Sequence, residues 1–431
     1  MSALRIGIAG LGTVGGGVVR LLEQQRETLS LRCGREIKVV AVSARDRNRK
    51  RDIDLNGATW HDDPVALARG NDVDVVVELI GGSDGVAKQV VETAIAAGKP
   101  VVTANKALLA HHGTALAVAA EKAGVALAYE AAVAGGIPII KALREGLVGN
   151  RITRLYGILN GTCNYILSTM RESGRDFADV LAEAQAHGYA EADPSFDIDG
   201  VDAAHKLAIL TSVAFGCPVN FAGVHVEGIR HITAIDIAYA AELGYRIKLL
   251  GLARQTEHGI EQRVHPCMVP LDAPIAHVEG VFNAVVAEGD FVGKTLFQGR
   301  GAGAGPTASA VVADLADIAR GVRLPVFSVP AARLARLPAS PMERHTGAYY
   351  VRLMVLDRPG VIAGVAAALR DEQVSMESML QRGRSHDPGA SVPVVLTTHE
   401  TEEAAMARAV ARIAKLDTIV EKPCVIRVEQ L

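Results

Sequence analysis

The chain opens with a short apolar segment that runs directly into a cluster of glycines. Leu4–Ala9 is typical of a buried strand, and Gly10–Gly15 (GLGTVG) follows it and leads into a helical stretch. In βαβ units that bind dinucleotides, such glycines allow a tight turn, close approach of the backbone to the pyrophosphate, and close packing of helix on strand. Amide groups around Gly12, Thr13 and Val14 would meet the diphosphate at the positive end of the helix. The segment therefore predicts a Rossmann-type domain; a glycine-rich turn without a ligand is the alternative.

The residues after the second predicted strand bear on the choice between NAD and NADP. Ile37–Ser43 is typical of a strand, and in NAD-binding domains an acidic residue near its end binds the ribose 2′-hydroxyl. Here a basic cluster follows (residues 44–51, ARDRNRKR), and Arg45 is the first candidate to bind a 2′-phosphate. Asp46 lies in the same cluster and could serve an NAD ribose. We therefore expect NADP(H) to be preferred, with NAD(H) as the alternative.

Further patterns complete a parallel sheet. Val73–Ile80 is almost continuously apolar, as expected of a strand that is covered on both faces, and the helical stretch Val86–Ala97 follows. Pro100–Thr103 is the next predicted strand and leads to Lys106. Ligands bind outside the carboxyl ends of strands in open α/β sheets, so Lys106 is expected to line the cofactor crevice. A surface lysine that opens the next helix is the alternative.

Size and composition exclude several classes of function. A chain of 431 residues predicts two or three domains. The formal net charge of −3 argues against nucleic acid or an anionic membrane as a partner, and no apolar run is long enough to span a bilayer. The five cysteines are scattered without a CxxC pair, which predicts reduced thiols in the cytoplasm rather than disulfides or a zinc site.

A second informative stretch is Gly188–Leu210 (GYAEADPSFDIDGVDAAHKLAIL), which places a lysine where an acidic loop meets an apolar helix. Asp202 and Lys206 are spaced i, i+4 and therefore lie on one face of that helix. A lysine at such a boundary is costly to bury unless it has a partner and a role. The stretch predicts either a functional lysine or an ordinary helical ion pair beside a solvated loop.

Six motifs together resemble a known family. They are GLGTVGGGV (10–18), TANKA (103–107), EAAVAGGIPII (130–140), NGTCNYIL (160–167), GYAEADPSFDIDGVDAAHK (188–206) and GAGAGPTASAV (301–311). Over nearly its whole length the chain resembles the monofunctional homoserine dehydrogenases. The resemblance implies reversible reduction of L-aspartate 4-semialdehyde to L-homoserine with a nicotinamide cofactor, on the path to threonine, methionine and isoleucine.

The resemblance also implies roles for individual residues. Lys206 is implied to be the acid–base group and Lys106 its partner beside the nicotinamide. Glu191 and Asp202 are implied to hold the ammonium group of the substrate, while the role of Asp197 is left open. Two glycines are implied to lie near the ligands, Gly188 at the substrate–cofactor junction and Gly305 near the cofactor.

A monovalent cation site is implied as well. Glu130, Val133, Gly135 and Ile137 resemble the site at which the family would hold Na⁺ or K⁺ with a carboxylate and backbone carbonyls.

The implied chemistry predicts a pH dependence. Reduction of an aldehyde needs a hydride from C4 of the nicotinamide and a proton on the carbonyl oxygen. Carboxylates favour the charged form of Lys206 and burial opposes it, so a charged Lys206 can donate that proton near neutral pH. Oxidation of homoserine needs the neutral lysine instead. We therefore expect oxidation to be fastest at alkaline pH.

Two other functions remain open at the level of sequence. Cys163, within NGTCNYIL, could act as a nucleophile in a semialdehyde dehydrogenase that forms a thioester. No histidine lies nearby in the sequence, and the motif is expected to present amide and hydroxyl groups to the substrate. The chain could also be a non-catalytic sensor of NADP and an amino acid, although Lys106, Asp202 and Lys206 would then have no purpose.

The predicted fold class is α/β, with an N-terminal Rossmann-type nucleotide-binding domain, an α+β catalytic and dimerisation domain, and a C-terminal ferredoxin-like ACT domain. The expected boundaries are 1–133 for the first domain, rejoined by 305–329, then 134–304, a linker at 330–346, and 347–431 for the ACT domain. Tyr239–Leu250 is the candidate helix for a subunit interface in a homodimer or homotetramer.

The C-terminal part follows the order βαββαβ, from Tyr349–Leu356 to Val420–Val428, which matches a ferredoxin-like module. The loop 357–362 (DRPGVI) resembles the opening loop of ACT domains, small amino-acid-sensing units. Two interpretations compete, a feedback site for L-threonine and a dimerisation module without a ligand. We favour regulation by L-threonine.

Overall fold

The computed structural model describes residues 2–382 and 391–431. Its N-terminal unit comprises β1 (Leu4–Ala9), α1 (Thr13–Gln24), α2 (Arg26–Cys33), β2 (Ile37–Ser43), β3 (Thr59–Trp60), α3 (Pro64–Arg69), β4 (Val75–Glu78), α4 (Val86–Ala96), β5 (Val101–Thr103), α5 (Lys106–Ala123) and β6 (Leu127–Ala128). The strands form a parallel sheet in the order β3-β2-β1-β4-β5-β6, which is the order of a Rossmann domain. The predicted nucleotide-binding fold is confirmed.

The turn between β1 and α1 explains the glycines of the opening motif. Gly10 has φ +110, and a Cβ there would lie 2.5 Å from the carbonyl oxygen of Leu79. Around Gly12 a Cβ would meet no atom within 4 Å, so the space in front of the first turn of α1 is open. This geometry leaves room for a diphosphate at the N-terminus of α1.

The middle unit is a mixed sheet covered by helices. It comprises α6 (Ile139–Lys141), β7 (Ile152–Ile158), α7 (Gly161–Ser173), α8 (Phe177–Ala186), α9 (Ser195–Ile198), α10 (Val201–Phe215), β8 (His225–Val226), α11 (Ala234–Glu242), β9 (Tyr245–Thr256), β10 (Gly259–Pro270), β11 (Phe282–Gly289), β12 (Gly293–Arg300) and α12 (Ala304–Ala319). Strands β12, β11, β7, β9 and β10 are neighbours in that order and pair antiparallel.

Helix α12 returns from the middle unit to the N-terminal unit. Val311 and Leu315 of α12 belong to the same buried apolar cluster as Val18 of α1. At Gly17 a Cβ would lie 2.6 Å from the carbonyl oxygen of Ala304, so only glycine permits this approach. The C-terminal end of the middle unit therefore packs on the nucleotide-binding fold.

The C-terminal unit comprises β13 (Thr346–Leu356), α13 (Val361–Asp371), β14 (Met376–Gln381), β15 (Ser391–Thr398), β16 (Thr401–Glu402), α14 (Glu403–Ile413) and β17 (Cys424–Val428). Residues 383–390, within the predicted ACT domain, lie outside the described residues. Strand β17 pairs with β13 on one side and, in parallel, with β10 on the other. The order βαββαβ is confirmed, and the sheet of this unit continues the sheet of the middle unit.

The prediction of one helical surface over Tyr239–Leu250 is wrong. Helix α11 ends at Glu242, the chain turns at Gly244 with φ +85, and β9 begins at Tyr245. Tyr239, Ile247, Leu249 and Leu250 are buried within the chain itself. The stretch is therefore the end of a helix and the start of a strand, and its apolar side chains pack inside this chain.

Among the described residues, no helix combines the length and apolarity that crossing a bilayer would require.

Candidate active site

The first turns of α10 place an acid and a lysine together at the buried end of the acidic loop. Lys206 Nζ donates to Asp202 Oδ2 at 2.7 Å and to the carbonyl oxygen of Leu159, at the end of β7, also at 2.7 Å. Lys206 is 8% exposed and Asp202 is 2% exposed. The i, i+4 pair predicted from the sequence is thus a buried pair, and not an ion pair of a solvated loop.

A second lysine reaches the same carboxylate from the nucleotide-binding unit. Lys106, the first residue of α5, has its Nζ 2.6 Å from Asp202 Oδ1 and 5.6 Å from the centre of the Phe196 ring. The Asp202 carboxylate therefore lies between two ammonium groups. Because α5 packs against α10, residues a hundred positions apart in the chain form one triad.

Burial and neighbouring charges set the protonation of this triad. Burial opposes the charge of Lys106, but the Asp202 carboxylate raises the pKa of Lys106 above its ordinary value. Burial lowers the pKa of Lys206 despite the attraction of Asp202, and the charge of Lys106 lowers it further. Burial alone would raise the pKa of Asp202, but the two lysines hold it well below its usual range. Lys206 is therefore the lysine that releases its proton more readily.

The loop before α7 connects this triad to a second carboxylate. Asn160 Nδ2 donates to Asp202 Oδ2 and to Asp197 Oδ1, both at 2.8 Å. Thr162 Oγ1 lies 3.2 Å from Asp197 Oδ2 and donates to the carbonyl oxygen of Tyr189 at 2.8 Å. Asp197, whose role the sequence left open, thus faces the same space as the triad.

Two predicted substrate residues lie on the exposed part of the acidic loop. Gly188 follows α8 with φ +72, and Glu191 is exposed. The charges of Asp197 and Glu191 both help to raise the pKa of Lys106. The loop thus presents negative charge beside two lysines.

A cavity of about 650 Å³ lies beyond the carboxyl ends of the parallel strands. Its lining includes Gly10, Gly12, Arg45 and Arg49. Of the other predicted cofactor residues, Thr13, Val14 and Gly15 lie in the first turn of α1, and Gly305 lies in the first turn of α12. The size, position and basic residues of the cavity suit a dinucleotide.

Comparisons with known proteins identify the family. Residues 138–316 match the family model described as homoserine dehydrogenase, residues 10–130 match its NAD binding domain, and residues 349–417 match the ACT domain. A homoserine dehydrogenase of Pseudomonas aeruginosa is 50% identical over 437 residues, with 100% of both chains covered. This chain belongs to the homoserine dehydrogenase family.

Solved structures of homoserine dehydrogenases share the fold. One from Thiobacillus denitrificans has a TM-score of 0.93 at 48% identity, covering 99% of this chain and 98% of that one. A hyperthermophilic archaeal homoserine dehydrogenase in complex with NADPH has a TM-score of 0.61 at 28% identity, covering 73% of this chain and 97% of that one. The chain is therefore an oxidoreductase with a nucleotide-binding, a catalytic and an ACT domain.

The cation site implied for a homoserine dehydrogenase centres on a buried carboxylate. Glu130 Oε1 accepts the amide of Ile140 at 2.9 Å, and Oε2 accepts the amide of Lys141 at 2.8 Å. Burial, with the nearby Asp314, raises the pKa of Glu130 to about 7. Val133, Gly135 and Ile137 follow in the adjoining buried loop. A monovalent cation fits here, because it would offset the charge of a desolvated carboxylate.

A second cluster of potential metal ligands surrounds a buried arginine. His265, Cys267 and Glu429 are buried with their ligand atoms within 4.8 Å of one another. Arg263 is ion-paired with Glu429 and lies 2.8 Å from His265 Nε2, so its guanidinium occupies the polar centre of the cluster. A metal ion beside this buried cation would be repelled.

Sequence reasoning did not anticipate two side chains in the wall of the site. His205 lies against Phe196 and Phe221, with ring centres 5.4 Å and 4.4 Å apart, and burial lowers its pKa to about 4. Phe196 lies under Lys106. Both residues lie within the acidic motif, but they contact Phe221 and Lys106, which belong to other elements. The pattern along the sequence therefore did not indicate that they form the wall of the site.

Proposed function

We propose that this homoserine dehydrogenase reversibly reduces L-aspartate 4-semialdehyde to L-homoserine, with NADPH as its preferred cofactor, in threonine, methionine and isoleucine biosynthesis. The observation that supports this most directly is the buried triad of Lys106, Asp202 and Lys206. It combines a lysine whose pKa is lowered by burial with a second lysine, at the border of the nucleotide-binding domain, whose pKa is raised by the same carboxylate.

The triad divides the chemistry between its members. A bound nicotinamide would supply or accept the hydride. Lys206 is the proton donor and acceptor, because its ammonium is buried and two of its N–H groups are held by Asp202 and Leu159, which leaves the third for the substrate oxygen. Lys106, which stays charged, stabilises negative charge on that oxygen.

The direction of each pKa shift sets the pH dependence. Reduction needs charged Lys206 and proceeds at neutral pH. Oxidation needs neutral Lys206, so its rate rises with pH. Because the pKa of Lys206 is lowered by burial, this rise occurs below the ordinary pKa of a lysine.

The carboxylates of the acidic loop bind the ammonium group of the substrate. The Asp202 carboxylate already forms an ion pair with Lys106 and hydrogen bonds with Lys206 and Asn160. Its charge therefore acts mainly on the two lysines and less on the ammonium group of the substrate. Glu191 is exposed and its charge acts on Lys106, so we assign it as the direct ammonium partner, with Gly188 in the same loop at the substrate–cofactor junction. An ammonium in a partly dry pocket requires such carboxylates.

The preference for NADPH is supported by the loop after β2. Asp46 also lines the cavity, but its Oδ1 accepts the amides of Asn48 and Arg49 at 2.9 Å and 3.2 Å, so this oxygen is engaged within its own turn. Arg45 and Arg49 are exposed and line the cavity, where they can bind a 2′-phosphate. NAD(H) is the poorer cofactor in this proposal.

Three further features complete the proposal. Na⁺ or K⁺ binds at Glu130 with the carbonyl groups of Val133, Gly135 and Ile137. L-threonine binds the ACT domain and inhibits the enzyme. The chain forms a homodimer or homotetramer in the cytoplasm, which sedimentation equilibrium and cell fractionation would measure.

The alternative functions fit the site less well. Cys163 is buried, its Sγ lies 3.3 Å from the carbonyl oxygen of Asp197, and burial raises the pKa of its thiol well above the ordinary value. Such a thiol is a poor nucleophile for a thioester mechanism. A sensor without catalytic function would not need two lysines on one buried carboxylate.

The deciding experiment measures NADPH oxidation at 340 nm with L-aspartate 4-semialdehyde. Lys206→Ala should lower kcat by about 10²- to 10⁴-fold, the usual contribution of a general acid, while NADPH fluorescence shows that cofactor binding is retained. Lys88→Ala removes another i, i+4 lysine pair, that with Glu92 on α4, and should leave kcat unchanged. Absence of turnover by the wild type with both NADPH and NADH would contradict the proposed function.

A further inference from the structure

Asn160 occupies an unusual position between the two carboxylates of the site. It is the N-cap residue of α7, and its Oδ1 accepts the amide of Cys163 at 2.8 Å. Its Nδ2 donates to Asp197 Oδ1 and to Asp202 Oδ2, both at 2.8 Å. The residue is 5% exposed. One side chain thus connects a helix end, the carboxylate of the lysine triad and the carboxylate of the acidic loop.

These contacts use the whole hydrogen-bonding capacity of the Asn160 NH₂ group. An amide nitrogen carries two protons, and each has a carboxylate acceptor. The helix cap also determines which way the amide faces, because a reversed group would direct its oxygen at two carboxylates and its NH₂ at an N–H donor. The expectation that this amide is presented to the substrate therefore does not fit its contacts.

We propose that Asn160 is a positioning residue that holds Asp197 and Asp202 in fixed relative orientation. This inference rests on the proposed function, since it concerns the carboxylate that orients Lys106 and Lys206. Asn160 acts through these residues and does not touch the reacting atoms.

Electrostatics explains why a neutral donor is suited to this place. Asp197 and Asp202 are acceptors when ionised and repel each other. The NH₂ group satisfies one oxygen of each without adding charge. On Asp202 it shares Oδ2 with Lys206, which leaves Oδ1 turned towards Lys106. Without Asn160 the Asp202 carboxylate could rotate, and the ammonium groups of Lys106 and Lys206 would no longer be held in fixed positions relative to each other.

Two variants separate positioning from helix capping. Asn160→Asp keeps the size of the side chain and an oxygen that can cap α7, but replaces the NH₂ donor with an acceptor. Asn160→Ser also keeps a capping oxygen and removes at least one of the two donated hydrogen bonds. Serine, aspartate and asparagine are about equally good N-caps, so helix stability should change little. Asn220→Ser is the matched control, because Asn220 Oδ1 also caps a helical turn, through the amide of Gly223 at 3.1 Å.

The test measures kcat/KM for semialdehyde reduction, the pH profile of homoserine oxidation and the thermal midpoint of each variant. Both Asn160 variants should lose about 10²-fold in kcat/KM, as expected for slight misplacement of catalytic groups. In Asn160→Asp the alkaline rise of oxidation should also move to higher pH, because an added carboxylate favours charged Lys206. Asn220→Ser should match the wild type.

Wild-type kcat/KM and an unchanged pH profile in either Asn160 variant would overturn the proposal and leave Asn160 as a helix cap only. Loss of activity in both variants with thermal midpoints well below that of the wild type, and with the pH profile of Asn160→Asp unmoved, would overturn it equally. These results are distinct from failure of the proposed function, in which the wild type itself would not turn over the semialdehyde.

Discussion

Neighbouring arginines in the loop after β2 have different environments. Arg51 donates to the carbonyl oxygens of Leu11, Arg49 and Asp46, and its guanidinium lies 5.6 Å from the centre of the Trp60 ring. It therefore holds the loop against the glycine turn. Arg45 and Arg49 keep exposed side chains in the cavity lining. Arg51 lines the cavity as well, but its guanidinium is engaged by the loop, so Arg45 and Arg49 are the candidate phosphate ligands.

We predict that Arg45→Ala and Arg49→Ala raise the KM for NADPH by about tenfold or more, since each removes a charge-assisted hydrogen bond worth about 1.5–3 kcal/mol. The KM for NADH should stay within twofold, because NADH has no 2′-phosphate. Steady-state kinetics with both cofactors measures this. Arg47→Ala is the control, because Arg47 lies 5.8 Å from the Trp60 ring centre, away from the cavity lining. Equal losses with NADPH and NADH would contradict the prediction.

At the scale of elements, the short turn around Glu130 meets the first residues of α6 and the helix α12. The amide of Glu130 donates to Asp314 Oδ2 at 2.8 Å, and Lys141 is ion-paired with Asp317. Burial raises the pKa of Asp314 to about 6, so two buried carboxylates share this junction. Their mutual repulsion is what a bound cation would relieve.

We predict that K⁺ or Na⁺ stabilises the protein more at pH 8 than at pH 6. The pKa of Glu130 is raised to about 7, above its unfolded value, so its ionisation destabilises the fold increasingly as the pH rises to about 7. A bound cation needs the ionised form and offsets that cost. Thermal unfolding in KCl or NaCl, compared with choline chloride at the same ionic strength, measures the effect.

Glu130→Gln serves as the matched variant in that experiment. It keeps the shape of the side chain and removes its charge, so its thermal midpoint at pH 8 should no longer depend on the choice of cation. The same cation dependence in this variant would show that the ion binds elsewhere.

At the scale of the whole molecule, the catalytic and ACT domains share one sheet and ion pairs in which a buried arginine meets a buried or half-buried carboxylate. Arg427, at the end of β17, binds Glu227 of the catalytic domain at 2.9 Å and Glu403 of the ACT domain. Arg352 of β13 binds Asp236 of α11 at 2.7 Å. Such buried pairs couple the two domains, because breaking one leaves an uncompensated charge.

We predict that the catalytic and ACT domains unfold together in a single thermal transition. We also predict that L-threonine raises the midpoint of this transition and slows turnover. Arg427→Met should cost about 3–5 kcal/mol, because Glu227 and Glu403 lose their buried partner. Differential scanning calorimetry measures the number of transitions and their midpoints for the wild type and Arg427→Met, and the assay at 340 nm measures turnover with L-threonine. Glycine is the control ligand in both measurements. An ACT domain that only mediates assembly would show no response to L-threonine.

Much of the fold could be predicted from local patterns. The strand before the glycine turn, Leu4–Ala9, and the strand Ile37–Ser43 have the predicted bounds, because apolar runs flanked by turn residues define strands well. The boundary at Gly244 was missed because apolar residues recur on both sides of it, and a short stretch of this kind does not distinguish a buried helix from a buried strand by pattern alone. Of the site, the spacing of Asp202 and Lys206 identified the ion pair, since i, i+4 neighbours meet within one helix.

The amino-acid sequence determined which chemistry the chain carries: the glycine turn, the basic loop, the acidic motif and its lysine are local features that dictate their own conformations. Tertiary structure decided how these parts act together. Lys106 reaches Asp202 because α5 packs on α10, and Asn160 meets both carboxylates because β7 ends beside α10. The ACT domain continues the catalytic sheet where β17 pairs with β10. Contacts between distant segments depend on how the elements pack, and the pattern along one segment does not contain that information.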